Sequence, residues 1–118
     1  GEGQPYIHFE EWDNDHLEFK LMLKGGGCEN VSTQYKLPDV GLGAGRDMEG
    51  VYKVIVDAVN QAQGLGCAPG ILGIGIGGDR MSSHMAAKTQ LFRKLPDTND
   101  NPELAKLETR LKDDPNKL

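Results

Sequence analysis

The residues with the most chemical capacity are Cys28 and Cys67, the cations Lys24 and Arg80 beside glycine runs, and His84. Cys67 stands in Gly64-Leu65-Gly66-Cys67-Ala68-Pro69-Gly70, where small and cyclic neighbours leave a sulfur open to something bulky. Lone cysteines are more often small buried hydrophobes, and spacing alone does not choose between the two. The pair forms no Cys-x-x-Cys, and His8, His16 and His84 are not spaced to complete a zinc site with it. In Lys24-Gly25-Gly26-Gly27 the backbone N–H groups could form an anion-binding nest, with Lys24 adding charge. A plain glycine turn is the commoner use of such a run. Gly77-Gly78-Asp79 opens a helix pattern whose free N–H groups could hold an anion. Arg80 follows at once, and its fork matches the two oxygens of a carboxylate. His84 could act as an acid or base, but no carboxylate partner is evident and it reads as a surface residue.

Gly73-x-Gly75-x-x-Gly78 matches the dinucleotide fingerprint letter for letter. That motif requires a strand ahead of its first glycine and an acidic residue about 20 positions on, in a second strand. Here the first two glycines fall inside the strand pattern, so close approach of a neighbouring backbone or ligand explains them better.

Positioning these residues requires a frame. Tyr6, Ile7 and Phe9, then Leu17, Phe19, Leu21 and Leu23 alternating with polar neighbours, predict an N-terminal β-hairpin. Asp13-Asn14-Asp15-His16 supplies its turn. Residues 31–45 form a long glycine- and proline-punctuated stretch, a kind of loop that is often functional. Val51, Val54, Ile55, Ala58, Val59 and Ala62 make one helical stripe over 46–63. Residues 71–76 read as a short strand with a glycine-lined face. Met81, Met85, Leu91 and Phe92 mark a helix over 80–94, and Asn101-Pro102 starts a last one with Leu104, Leu107 and Leu111 on its apolar face. The expected fold class is α/β: a mixed β-sheet with an N-terminal hairpin and about three helices, in one domain over 1–118.

The chain of 118 residues carries 13 basic and 18 acidic side chains, a formal charge of −5. That balance argues against nucleic acid or an anionic membrane as partner. No apolar run approaches the roughly 20 residues that span a bilayer, and no leader pattern is seen, so a cytoplasmic location is expected. Two cysteines do not make a disulfide scaffold, although one bridge between them is open to them.

Four segments together resemble class I fumarate hydratase, the iron–sulfur hydro-lyase family that includes L(+)-tartrate dehydratase. They are Lys24-Gly25-Gly26-Gly27-Cys28-Glu29-Asn30, Leu42-Gly43-Ala44-Gly45-Arg46-Asp47, Gly66-Cys67-Ala68-Pro69, and Gly73-Ile74-Gly75-Ile76 running into Gly77-Gly78-Asp79-Arg80. The likeness runs from about 21 to 110, and several ordered motifs are far more specific than one. It implies the C-terminal part of an α-type catalytic region, working with upstream and β-type regions in a homo-oligomer. It also implies a [4Fe–4S] cluster on three thiolates, with one iron open to substrate. Cys67 matches the last of the three ligands; Cys28 falls where the family usually has serine and is no ligand. This chain offers no candidates for the other two. Lys24, Gly25, Gly26 and Arg80 would lie near a small dicarboxylate, while no general acid or base maps onto a named position. The implied reaction is reversible hydration of fumarate to L-malate, a step of the tricarboxylic acid cycle, with the isolated 118 residues inactive. Tartrate dehydration is the alternative within the family, and a cluster-free module for small anions is the alternative outside it.

Overall fold

The computed structural model describes Gly3, residues 7–67 and residues 70–114. Among these, four helices follow one another: α1 (Gly26–Asn30), α2 (Met48–Ala62), α3 (Arg80–Gln90) and α4 (Pro102–Asp113).

The stripe that predicts α2 is also what buries it. Val51, Tyr52, Val54 and Ile55 are buried, and Val51, Tyr52 and Ile55 form a core with Leu107 of α4. Leu37, Met48, Val56, Ile74 and Leu111 pack around that core. Asp47 caps α2, its carboxylate accepting from the Gly50 N–H at 2.7 Å. A side chain at Gly50 would run into the Gly45 carbonyl, so glycine lets the preceding loop lie flat on the first turn. Asn101 caps α4 as its type predicts, accepting from the Glu103 and Leu104 N–H groups at 3.0 and 3.4 Å. Arg110 then locks the two helices together. Its guanidinium stacks 3.5 Å from the Tyr52 ring centroid and donates to both oxygens of Glu49 at 2.6 and 3.3 Å.

The 31–45 stretch is tied down over α2 rather than loose. Asp39 and Ala44 exchange backbone hydrogen bonds of 2.8 and 2.9 Å, an isolated antiparallel bridge closed by Gly43 at φ +59°. Tyr35 donates its hydroxyl to Asp57 of α2 at 2.6 Å. Burial, then that bond, pushes the Tyr35 phenol up to about 12.

The expected mixed sheet is absent: among the described residues there is no strand, and the α/β assignment is corrected to a helical fold. At the expected hairpin turn, residues 13–16, the chain only bends, with the Trp12 indole N–H donating to the His16 carbonyl at 3.0 Å. Among the described residues the hairpin's arms pair with no other backbone, and Ile7, Phe9, Leu17, Phe19, Leu21 and Leu23 are all exposed. Tyr6 lies outside the described residues. Period-two alternation states which face a strand would bury, not whether another backbone lies alongside to pair with it. Residues 71–76 are extended too, but their neighbour is a helix. A Cβ on Gly73 would strike the Ala87 carbonyl, and one on Gly75 the Ser83 carbonyl and the Ala87 nitrogen. The glycine face therefore lets this segment press on the backbone of α3, and Ser83 fastens it by donating its hydroxyl to the Gly75 carbonyl at 3.2 Å. α3 itself stops at Gln90, because Leu91, Phe92 and Arg93 turn their N–H groups to carbonyls three residues back.

Candidate functional site

The triple-glycine run is not an open turn. Gly25 caps α1 in extended conformation, and Gly26 and Gly27 are its first residues. Their lack of side chains lets another loop approach: a Cβ on Gly27 would sit 3.4 Å from the Leu65 carbonyl. A Cβ on Gly66 would likewise sit 4.0 Å from Cγ2 of Val31. The loop that carries Cys67 thus lies along α1 and the residue after it. Cys67 is exposed and Cys28 half-buried, and both are free thiols.

Lys24 does not face an empty nest. Its ammonium lies 2.9 Å from one oxygen of Glu29, and Lys88 of α3 lies 2.6 Å from the other. The two cations, Lys88 first, pull the Glu29 carboxyl down to about 2. This arrangement neutralises Lys24 within its own motif and ties α3 to α1.

The entry to α3 needs glycine twice, at Gly77 (φ +88°) and Gly78 (φ +70°). Asp79 then forms a capping box. Its carboxylate accepts from the Ser82 N–H at 2.7 Å, and its own N–H donates to the Ser82 hydroxyl at 3.0 Å. The Ser82 N–H holds the Asp79 carboxyl below its usual range. A carboxylate already occupies this helix start, which removes the expected anion role of Gly77-Gly78-Asp79.

Arg80 is placed differently. Its backbone carbonyl accepts from the Gln34 side-chain amide at 2.7 Å, which draws the 32–34 segment against α3. Between them lies an open cleft of about 360 Å³ lined by Ser32, Thr33, Gln34, Arg80 and His84. Arg80 and His84 are four residues apart on one helix face, and that spacing is the sequence signal that sets them side by side. Ser32, Thr33 and Gln34 carried no such signal; only the fold brings them to the cleft. Of the expected substrate residues, Lys24, Gly25 and Gly26 stand together at α1 and Arg80 stands at the cleft.

Among the described residues, no three His, Cys, Asp or Glu side chains converge on a metal position. The Cys67 thiol, exposed on a loop of small residues, suits one corner of a cluster and not a whole site. No helix among the described residues is long and apolar enough to cross a membrane.

A family profile described as "Fumarate hydratase (Fumerase)" matches residues 1–118, and the chain belongs to that family. It is 52% identical over 121 aligned positions to a Geobacillus stearothermophilus protein provisionally described as fumarate hydratase class I. It is 32% identical to a Methanocaldococcus jannaschii protein provisionally described as L(+)-tartrate dehydratase subunit alpha. To the L(+)-tartrate dehydratase subunit alpha of Escherichia coli K12 it is 27% identical. All of this chain aligns in each case, spanning 24%, 40% and 38% of those relatives' lengths. No solved structure matches the chain.

Proposed function

We propose that this chain is one segment of an iron–sulfur hydro-lyase that adds water reversibly to fumarate, giving L-malate. The observation that carries the reading is the packing of the Cys67 loop on α1. It brings Leu65 and Gly66, the two residues before the exposed Cys67, against Gly27 and Val31, so that two of the motifs that carry the family likeness meet. Cys67 would hold one corner of a [4Fe–4S] cluster, whose other two thiolates come from outside these 118 residues. When bound, such a cluster supplies a Lewis-acid iron that polarises a substrate oxygen. The chain's own part is to shape the surroundings. Gly25 and Gly26 keep the approach free of side chains, Lys24 is held in place by Glu29, and Arg80 offers a fork to a carboxylate. The working enzyme would be a cytoplasmic homo-oligomer acting on a small dicarboxylate, completed by upstream and β-type regions.

Fumarate is preferred over tartrate as substrate because the relative at 52% identity bears the fumarate name, against 32% and 27% for the tartrate relatives. The test uses the full-length protein purified without oxygen, as wild type and as Cys67→Ser. The expected result is iron and fumarate hydration in the wild type and loss of both in the variant. A variant that keeps its iron and rate removes Cys67 from the ligand set. Iron without fumarate hydration in the wild type passes the substrate to tartrate. A wild type that binds small anions without iron leaves only the anion module.

A further inference from the structure

Three of the four arginines can be followed to their acceptors. Arg46 donates to the Leu37 carbonyl at 3.2 and 3.3 Å. Arg93 is paired with Asp97 at 3.1 Å and with Glu108 at 2.7 Å. Arg110 is held by Glu49 at 2.6 Å. Among the described residues, no carboxylate pairs with the Arg80 guanidinium; Arg80, itself exposed, lines the cleft with His84, Ser32, Thr33 and Gln34. The acidic residue next to it in sequence, Asp79, is turned onto the N–H and hydroxyl of Ser82. None of the five lining residues is acidic. The cleft is therefore lined by an arginine, a histidine and two hydroxyl-bearing residues, with no acidic side chain among them.

We infer that this cleft is a carboxylate subsite, with Arg80 as its anchor and His84, Ser32 and Thr33 as further donors. The inference rests on the hydro-lyase reading for the identity of the ligand, one carboxylate of a four-carbon dicarboxylate. Gln34 is a positioning residue: its amide holds the hydroxyl-bearing wall at a fixed distance from α3 through the Arg80 carbonyl. A guanidinium gives two parallel charge-assisted bonds to a carboxylate, and the remaining lone pairs are within the capacity of hydroxyl and imidazole donors. A volume of about 360 Å³ admits a small dicarboxylate end together with water. The two walls come from separate elements, so the subsite exists only when the 32–34 segment is drawn onto α3.

The test compares the full-length wild type with Arg80→Gln and His84→Gln. Binding of succinate, an unreactive dicarboxylate, is followed by calorimetry, and malate dehydration by its kcat and KM. Arg80→Gln is expected to weaken succinate and raise the malate KM about tenfold in parallel, with kcat within about twofold and iron content unchanged. His84→Gln should move both in the same direction by less, since it removes one donor of several. Arg80→Lys should recover part of the binding, because it keeps the charge and loses the fork. Variants that bind succinate and malate as the wild type does overturn the subsite while leaving the hydro-lyase reading intact. A wild type that neither holds iron nor dehydrates malate overturns that reading instead, and the succinate comparison then still decides the cleft.

Discussion

Glu29 shows how one carboxylate can join two elements. It belongs to α1, yet its larger perturbing partner is Lys88 on α3, with Lys24 from the preceding segment second. Its folded value of about 2 lies below the ordinary 4.5, so the ionised form favours the folded chain. That contribution is complete above about pH 4.5 and is lost as the pH falls through the folded value. The three side chains are partly open to water, with 26–45% of each exposed, so the contribution is about 1 kcal/mol or less. Glu29→Gln should therefore lower the melting temperature near pH 6, and the gap to the wild type should close as both are titrated towards pH 2. A gap independent of pH would mean that the glutamine disturbs packing rather than charge.

At the scale of elements, the helices that carry their own signals were legible and the pairing between segments was not. The stripe from Val51 to Ala62 and the Asn101-Pro102 start each specify a helix locally; α2 falls within a few residues of the expected 46–63, and α4 begins at the expected residue. Residues 71–76 have the composition of a buried strand, but their glycines turned out to face a helix backbone. Close approach was the correct physical reading of Gly73 and Gly75; the neighbour's type lay beyond local sequence. The candidate site divided in the same way. Arg80 was identifiable by type and place, whereas Ser32 and Thr33 join it only through the Gln34 tether. The contact between 71–76 and α3 makes a sharp prediction. Gly75→Ala puts a Cβ against the Ser83 carbonyl and should cost about 1–3 kcal/mol in denaturant unfolding. Gly70→Ala, where a Cβ meets nothing within 4 Å, should leave stability within about 0.5 kcal/mol. Equal effects at the two positions would mean that 71–76 does not press on α3.

For the whole molecule, the balance of buried and exposed apolar surface decides which residues hold the fold. Among the described residues, only Ala44, Val51, Tyr52, Val54, Ile55 and Leu107 are buried hydrophobics, five of them on α2 and α4 and the sixth in the loop that lies over α2. Larger apolar side chains stand in water elsewhere, with Phe19 at 86% exposure. Burial, not hydrophobicity, sets the energetic weight, because only area withdrawn from water on folding contributes. Leu107 is 8% exposed and touches the core from α4, so Leu107→Ala should cost about 2–5 kcal/mol through lost transfer and the cavity left behind. Phe19→Ser removes a far larger ring yet should change the unfolding free energy of this chain by no more than about 0.5 kcal/mol. Denaturant titration of the two variants measures both. The order matters more than the values: if Phe19→Ser proved the more damaging, residues 17–23 would have to be buried in solution and the helical core around α2 and α4 would not be what holds the chain together.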